Sequence, residues 1–232
     1  MNPASLILWT GGLGVVTLIG SLSARKYSRG TLLIAMLCVL AASAQLLPAA
    51  PVRLLAGHDL VAPPGIIPLA LSFIALCAVV EKFGQVEGHR AALFATVGQA
   101  FALLILGGAR QFPPSTLGGE AAAFVTGEPL QLTPWLALAS LTGYLMGSNL
   151  CVVLYHMLRV LKGERHVWLR ALCAPIIGGS VESFVSLSLG FGGREDIAPF
   201  VLGRISAYAG VTLLGIPLLY LHRTLQGRRV NP

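Results

Sequence analysis

Charged side chains are scarce in this 232-residue sequence, where Asp, Glu, Lys and Arg together make up only 11%. Soluble domains average about 25% charged residues, so too little polar surface is available here to cover a water-soluble core. Enzyme signatures are also missing, since the sequence has no HExxH, no GxSxG and no phosphate-binding loop. The composition therefore excludes an ordinary soluble domain, and we expect no catalytic residues.

Cysteine and histidine are few, and their positions argue against metal and haem sites. Each of the four cysteines lies inside an apolar run, with no Cys or His neighbour at metal-ligand spacing. Of the five histidines only His156 lies well within an apolar stretch, so a haem held by two histidines has no support. We expect buried structural cysteines, no metal site and no cofactor.

Apolar sequence is what the chain has in abundance: 55% of its residues are hydrophobic and its mean hydropathy is +0.79. A membrane-spanning helix needs roughly 20 apolar residues, and an open strand cannot cross lipid because its backbone groups would lack partners. The charged and Pro/Gly-rich breaks leave seven apolar stretches, namely 5–22, 31–50, 65–84, 91–109, 133–160, 167–191 and 198–221. We therefore predict an all-α, multi-pass membrane protein with seven transmembrane helices in a single domain, 1–232.

The basic residues predict how this bundle is oriented. Twelve of the 16 Lys and Arg fall on the side that holds the connections 23–30, 85–90 and 161–166 and the C-terminal tail, and three fall on the other side. Cytoplasmic loops are enriched in Lys and Arg, so we expect the N-terminus outside and the C-terminus in the cytoplasm. The net charge of +7 then reflects topology in a bacterial inner membrane, and we expect no nucleic-acid partner.

Glu182 is the leading candidate for a functional residue, because a carboxylate near the middle of a lipid-spanning helix is costly unless it faces a cavity or a partner. Ser183 and Ser186 follow it on the same helix and 178–179 is a glycine pair, which together predict a narrow polar stripe. Arg204 lies at a similar depth in the last stretch and is a candidate partner for Glu182. We favour a cavity function for the pair over a purely structural ion pair.

Other polar residues inside the apolar stretches carry two interpretations. Asn149 beside Ser148, and likewise Gln45 and Gln99, are as consistent with helix–helix hydrogen bonding as with ligand contact. The GxxxG pattern at 143–147 predicts a close helix contact.

Charges at the ends of stretches are candidates for coupling or gating. Glu81 lies just before the predicted cytoplasmic connection at 85–90, Arg90 is the last residue of that connection, and Arg170 lies near the start of a later stretch. The simpler interpretation of such charges is that they anchor helix ends at the interface, and a cytoplasmic gate is the alternative.

Several of these motifs together resemble the queuosine precursor transporters, also called the vitamin uptake transporter family. The first motif is the apolar helix from Ile66 that ends in Glu81-Lys-Phe-Gly84 and is followed by Arg90. The second motif has three parts: the small-residue segment 137–151, Trp168-Leu-Arg170 and Ser180-Val-Glu182-Ser-Phe184. The similarity covers roughly 30–222. It implies a six-helix transporter core over 31–221, with 5–22 as an additional N-terminal helix.

The resemblance implies import of a 7-deazaguanine, such as 7-cyano- or 7-aminomethyl-7-deazaguanine or the free base queuine. A carboxylate such as Glu182 suits this substrate because it accepts two parallel hydrogen bonds from the ring N–H and the exocyclic amine of a guanine-like edge. An aromatic ring from Tyr144, Phe184 or Tyr208 would stack on the base, and Ser148 and Asn149 are further substrate-binding candidates. Glu182 is alternatively the carrier of a coupling proton.

The sequence also departs from the family pattern. Cys77 and Cys151 stand where aspartates are expected, and Arg204 is the only replacement for a lysine expected in the last helix. Two other functions stay open: a substrate-binding subunit driven by a separate ATPase, and a membrane protein that only packs against partners. The expected partners are the lipid bilayer and a small deazapurine-like base, and a homo-oligomer is among the arrangements that the sequence leaves open.

Overall fold

A computed structural model of the chain describes residues 31–46, 52–53, 61–109, 134–163, 166–192 and 197–227. These residues form six helices: α1 Thr31–Leu46, α2 Ile66–Phe83, α3 Gln85–Ala109, α4 Pro134–Lys162, α5 Val167–Gly190 and α6 Ala198–Gly227. A two-residue antiparallel pair, β1 Val52–Arg53 with β2 Val61–Ala62, lies in the connection between α1 and α2. The predicted first helix, 5–22, lies outside the described residues.

Five of the helices, α2 to α6, are long and apolar enough to cross a membrane. The remaining helix, α1, has only 16 residues, fewer than the roughly 20 that span a bilayer. The predicted stretch continues to residue 50, but 47–50 lie outside the described residues. Apart from the two-residue strand pair, the described part of the chain is thus helical, and the protein is a multi-pass membrane protein. Seven spans and the orientation of the termini stay predictions.

The helix α2 forms the centre of the bundle. Fifteen of its 18 residues are buried, namely Ile66 to Val80. The helix also contacts all the other described helices. A transmembrane helix that is apolar on every side is expected where protein surrounds it on every side. Side chains placed on α2 therefore face neighbouring helices and not lipid.

The predicted break between the third and fourth stretches is much shorter in the structure. Only Gly84 separates α2 from α3; it has φ 88° and its N–H donates to Val80 O at 3.0 Å. A positive φ is strained for any residue with a Cβ, so glycine allows this one-residue turn. The prediction that α3 begins at 91 was therefore wrong, because the polar residues 85–90 form its first turns.

A close helix–helix contact joins α4 to α5, as the GxxxG pattern predicts. A Cβ added to Gly147 would collide with the backbone oxygen of Gly178, and one added to Gly178 would lie 2.7 Å from Gly147 O. The two backbones approach this closely because neither position has a side chain. This contact fixes how α5 presents its polar face to the rest of the bundle.

Candidate functional site

Glu182 lies on α5, eight residues before that helix ends at Gly190, or ~12 Å along the axis. Its side chain is 1% exposed. A Cβ at Gly143 of α4 would lie only 2.8 Å from the backbone oxygen of Glu182, so α4 closes one side of the site. A buried carboxylate is stable only when it is paired, and α6 supplies the partner.

That partner is Arg204. Its Nη2 lies 2.5 Å from Oε1 and 2.7 Å from Oε2 of Glu182, and its Nη1 donates to Ser186 Oγ at 3.1 Å. The arginine is itself largely buried, with 12% of its side chain exposed. One guanidinium thus joins α6 to two polar residues that lie one helical turn apart on α5.

Two hydroxyl groups complete the coordination of the same carboxylate. Tyr208 Oη donates to Glu182 Oε2 at 3.0 Å, and Ser183 Oγ donates to the same oxygen at 3.2 Å. Gly179 makes room for the tyrosine, since a Cβ there would lie 2.5 Å from the ring. We call Glu182, Arg204, Tyr208, Ser183 and Ser186 the Glu182 cluster.

An aromatic layer lies beside this cluster and consists of Phe73 on α2, Tyr144 on α4 and Tyr208 on α6. Phe73 contacts Tyr144 and Tyr208 edge to face, with ring centroids 5.5 Å and 5.4 Å away. All three rings are at most 1% exposed, and Tyr144 Oη lies 3.2 Å from Ser72 Oγ. The layer gives the site flat apolar faces next to a charged, hydrogen-bonding edge.

The remaining predicted substrate-binding residues lie elsewhere. Ser148 is buried and donates to Leu145 O within its own helix at 3.3 Å, while Asn149 Oδ1 lies 2.6 Å from His89 Nδ1 of α3. Phe184 is 61% exposed and faces away from the bundle interior. The predicted stacking role of Phe184 therefore does not fit this geometry, because alternate residues of a helix do not share a face.

A second group of polar residues, the Glu81 cluster, lies where α2 ends. Arg170 Nη2 of α5 is 2.7 Å from Glu81 Oε1, and Tyr155 Oη of α4 donates to Glu81 Oε2 at 3.0 Å. Two further bonds involve the backbone, from Arg170 Nη1 to Gly163 O at 3.2 Å and from Arg159 Nη1 to Glu81 O at 3.1 Å. The cluster thus connects the ends of α2, α4 and α5.

Arg90, the third gating candidate, is separate from this group. It pairs with Glu87 at 2.6 Å on the protein surface, where 64% of its side chain is exposed. Its geometry corresponds to a surface ion pair at a helix end.

Contacts between α2 and α4 link the two clusters. The two helices run in the same direction, and three side-chain pairs follow one another along them. Ser72 is hydrogen-bonded to Tyr144, Cys77 Sγ lies 3.7 Å from Cys151 Sγ, and Glu81 is hydrogen-bonded to Tyr155. The two cysteines that replace expected aspartates are therefore neighbours in space. Both are fully buried, and their thiols are hydrogen-bonded to each other without forming a disulfide.

Sequence reasoning missed Tyr155, which the Glu81 cluster brings into contact with a carboxylate. A signal was available: Tyr144, Ser148, Cys151 and Tyr155 recur at helical spacing and form one buried face of α4. Which carboxylate Tyr155 would meet could not be read from the sequence, because Glu81 lies on another helix.

The chemistry of the Glu182 cluster suits an organic ligand better than a metal ion. It combines one anion, one cation, hydroxyl groups and aromatic faces, all of them buried or largely buried. Among the described residues, no three His, Cys, Asp or Glu side chains lie close enough to hold a metal. The arrangement is suited to hydrogen bonding along one edge of a flat molecule while its faces contact aromatic rings.

Comparison with known proteins identifies a family. The family model described as "Putative vitamin uptake transporter" matches residues 63–222, which include α2 to α5 and most of α6. No curated protein and no solved structure matches the chain. The match confirms the family that the motifs predicted, although it begins at 63 and therefore leaves out α1, which the resemblance had included.

Proposed function

Because the chain belongs to the vitamin uptake transporter family, we propose that it imports a queuosine precursor and binds it at the Glu182 cluster. Family membership gives uptake of a small molecule across a membrane; the 7-deazaguanine substrate and the binding residues are the proposal. The observation that carries it is the buried Glu182–Arg204 pair with an aromatic layer beside it.

The hydrogen-bonding groups of the cluster complement a guanine-like edge. The Glu182 carboxylate accepts two parallel hydrogen bonds from the ring N–H and the exocyclic amine, and Arg204 donates to the ring carbonyl beside them. Tyr208 belongs both to the cluster and to the aromatic layer, so its ring is placed to contact the face of the base. The charges of the pair balance, which suits a ligand with no net charge on its ring.

The form of the ion pair supports exchange with a ligand. A single nitrogen, Nη2 of Arg204, contacts both oxygens of Glu182, and Arg204 Nε is buried with no partner among the described residues. In the strongest arginine–carboxylate pairs two N–H groups form two parallel bonds. The Nε–H of Arg204 is therefore a donor that is left for the ligand. If the N–H groups of a substrate edge replace Nη2 at the carboxylate, Glu182 still has hydrogen-bond donors.

The Glu81 cluster is the proposed closure on the cytoplasmic side. It lies at the end of α2, next to the connection between α4 and α5, and its bonds join three helices that also contribute to the two parts of the binding site. In the proposed orientation, substrate reaches the Glu182 cluster from outside and leaves when the Glu81–Arg170 pair separates. This corresponds to gating around a fixed site near the midplane.

Uptake of radiolabelled queuine into proteoliposomes that contain only this protein tests the proposal. We expect uptake by the wild type and its loss, by about 100-fold or more, in Glu182→Gln, because a neutral amide both donates and accepts and cannot take two parallel donors. Uptake without any ATPase also separates this mechanism from that of an ATPase-driven subunit. Uptake of the wild-type magnitude in Glu182→Gln would contradict the assignment of the site.

A matched control uses the surface carboxylate. Glu87→Gln makes the same chemical change in an exposed ion pair, and such pairs contribute about 0–1 kcal/mol, so its uptake should equal that of the wild type. Size-exclusion profiles in detergent establish that both variants are folded. Glu182→Asp retains the charge and should restore part of the uptake.

A further inference from the structure

A third buried polar group connects α1, α3 and α4, away from both ion pairs. Gln45 Nε2 lies 3.3 Å from Gln99 Oε1 and 3.0 Å from Ser140 Oγ. Gln99 is fully buried, and Gln45 and Ser140 are partly buried. We call these three residues the Gln99 cluster; its side chains are all uncharged.

One atom of this cluster has no hydrogen-bond partner in the described part of the chain. Gln99 Nε2 is buried, and no hydrogen-bond acceptor lies within reach among the described residues. Leaving a buried polar atom unpaired is costly, and residues that serve only to join helices usually avoid it.

The Gln99 cluster lies one helical turn from the proposed substrate site. Ser140 precedes Tyr144 by four residues on α4, which places both on one face of the helix. Tyr144 belongs to the aromatic layer beside Glu182. Gly143, which is level with Glu182, follows Ser140 by three residues, so Ser140 lies ~5 Å nearer to the start of α4. In the proposed orientation this start is the outer end.

We propose that the Gln99 cluster is a second ligand subsite, which binds the uncharged hydrogen-bonding group of a substrate on its way to Glu182. The free Gln99 amide group pairs with a complementary group such as a ring carbonyl, a ring nitrogen or an amide. Because Gln45, Gln99 and Ser140 bear no charge, the subsite selects for a neutral group. The inference rests on the proposed import of a nitrogen heterocycle, but it assigns different residues.

The change Gln99→Met separates ligand binding from helix packing. Met has a similar length and removes the unpaired polar atom. It also removes the long 3.3 Å bond from Gln45, whose partly buried amide keeps its shorter bond to Ser140. If Gln99 contacts ligand, the Kd for queuine in detergent should rise about fivefold, as expected for one lost neutral hydrogen bond, and the Tm without ligand should stay level or rise. Thr96→Val, which removes a hydroxyl bonded within α3 itself, should leave the Kd unchanged.

Two results would overturn the inference: an unchanged Kd in Gln99→Met, or a lower Tm that accounts for the weaker binding. If that variant does not fold, the double variant Gln45→Leu with Gln99→Leu replaces both amides, a change that a packing role tolerates. A folded double variant with the wild-type Kd would likewise exclude the subsite. Neither result depends on Glu182, whose role is measured separately by uptake in Glu182→Gln.

Discussion

The bundle contains two clusters in which a glutamate is bonded by an arginine and a tyrosine, yet the two are built differently. Glu182 is 1% exposed and receives all its partners from side chains, whereas 19% of the Glu81 side chain is exposed and its cluster also uses the backbone carbonyls of Glu81 and Gly163. Bonds to the backbone fix where helices end. Bonds between side chains can be exchanged for a ligand while the backbone stays in place. The comparison therefore supports the proposal that the Glu182 cluster binds substrate and the Glu81 cluster closes the path.

Among the variants that test this comparison, Arg204→Met should cause the largest loss of stability. Removing one member of a buried ion pair strands the other charge and costs about 3–5 kcal/mol, so we expect a steep fall in Tm. The double variant Glu182→Leu with Arg204→Met leaves no buried charge, and its stability should return to about that of the wild type. We expect it to bind no queuine, as measured by thermal shift in detergent.

This double variant distinguishes a functional pair from a structural one. A pair that only holds α5 against α6 would give a folded double variant with normal binding and uptake. Such a result would remove the difference between the two clusters and, with it, the assignment of binding to Glu182.

A smaller effect is expected from Glu81→Gln. The change weakens a charge-assisted bond to Arg170 and should lower the free energy of unfolding by about 1.5–3 kcal/mol, while the backbone bond from Arg159 to Glu81 O is kept. The Kd for queuine should stay within about twofold of the wild-type value, because the Glu182 cluster is untouched, and the uptake rate should change. Binding and uptake measured on the same preparation check both parts.

A loss of queuine binding in Glu81→Gln like that expected for the double variant Glu182→Leu with Arg204→Met would contradict the separation of the two roles. Arg90→Gln is the matched control, since it alters an exposed pair near the same end of the bundle. We expect it to change neither binding nor uptake rate, in keeping with the small contribution of surface ion pairs.

Much of the fold could be predicted from the sequence, because lipid imposes helices and apolar length alone locates them. Glu182 and Arg204 were found for the same reason: a charge inside a long apolar run is rare and needs a partner. The start of α3 could not be found this way. Residues 85–90 are mostly polar because they lie at one end of the bundle, yet they belong to the helix. Polarity indicates where a helix leaves the membrane, and it does not indicate where the helix begins.

Contacts between distant helices were beyond the sequence. Glu81 and Arg170 are 89 positions apart, and Cys77 and Cys151 are 74 apart, so only the packing of α2 against α4 and α5 shows that they meet. For Phe184, closeness in the sequence was misleading. It lies two residues after Glu182, but a helix turns by about 200° over that interval, which directs its ring outward.

The smallest and most direct comparison uses two tyrosines. Tyr208 and Tyr155 each donate to Oε2 of a glutamate at 3.0 Å, one in each cluster. Changing either to Phe removes one hydroxyl and keeps the ring, so each variant should lose about 1.5–2 kcal/mol of stability, in the lower part of the range for a bond to a charged group. Only Tyr208→Phe should also raise the KM for queuine uptake, because only Tyr208 lies in the proposed binding site. The KM of Tyr155→Phe should equal that of the wild type, with any change confined to the maximal rate. Equal KM values for the two variants would show that the clusters do not differ in the way that their backbone contacts suggest.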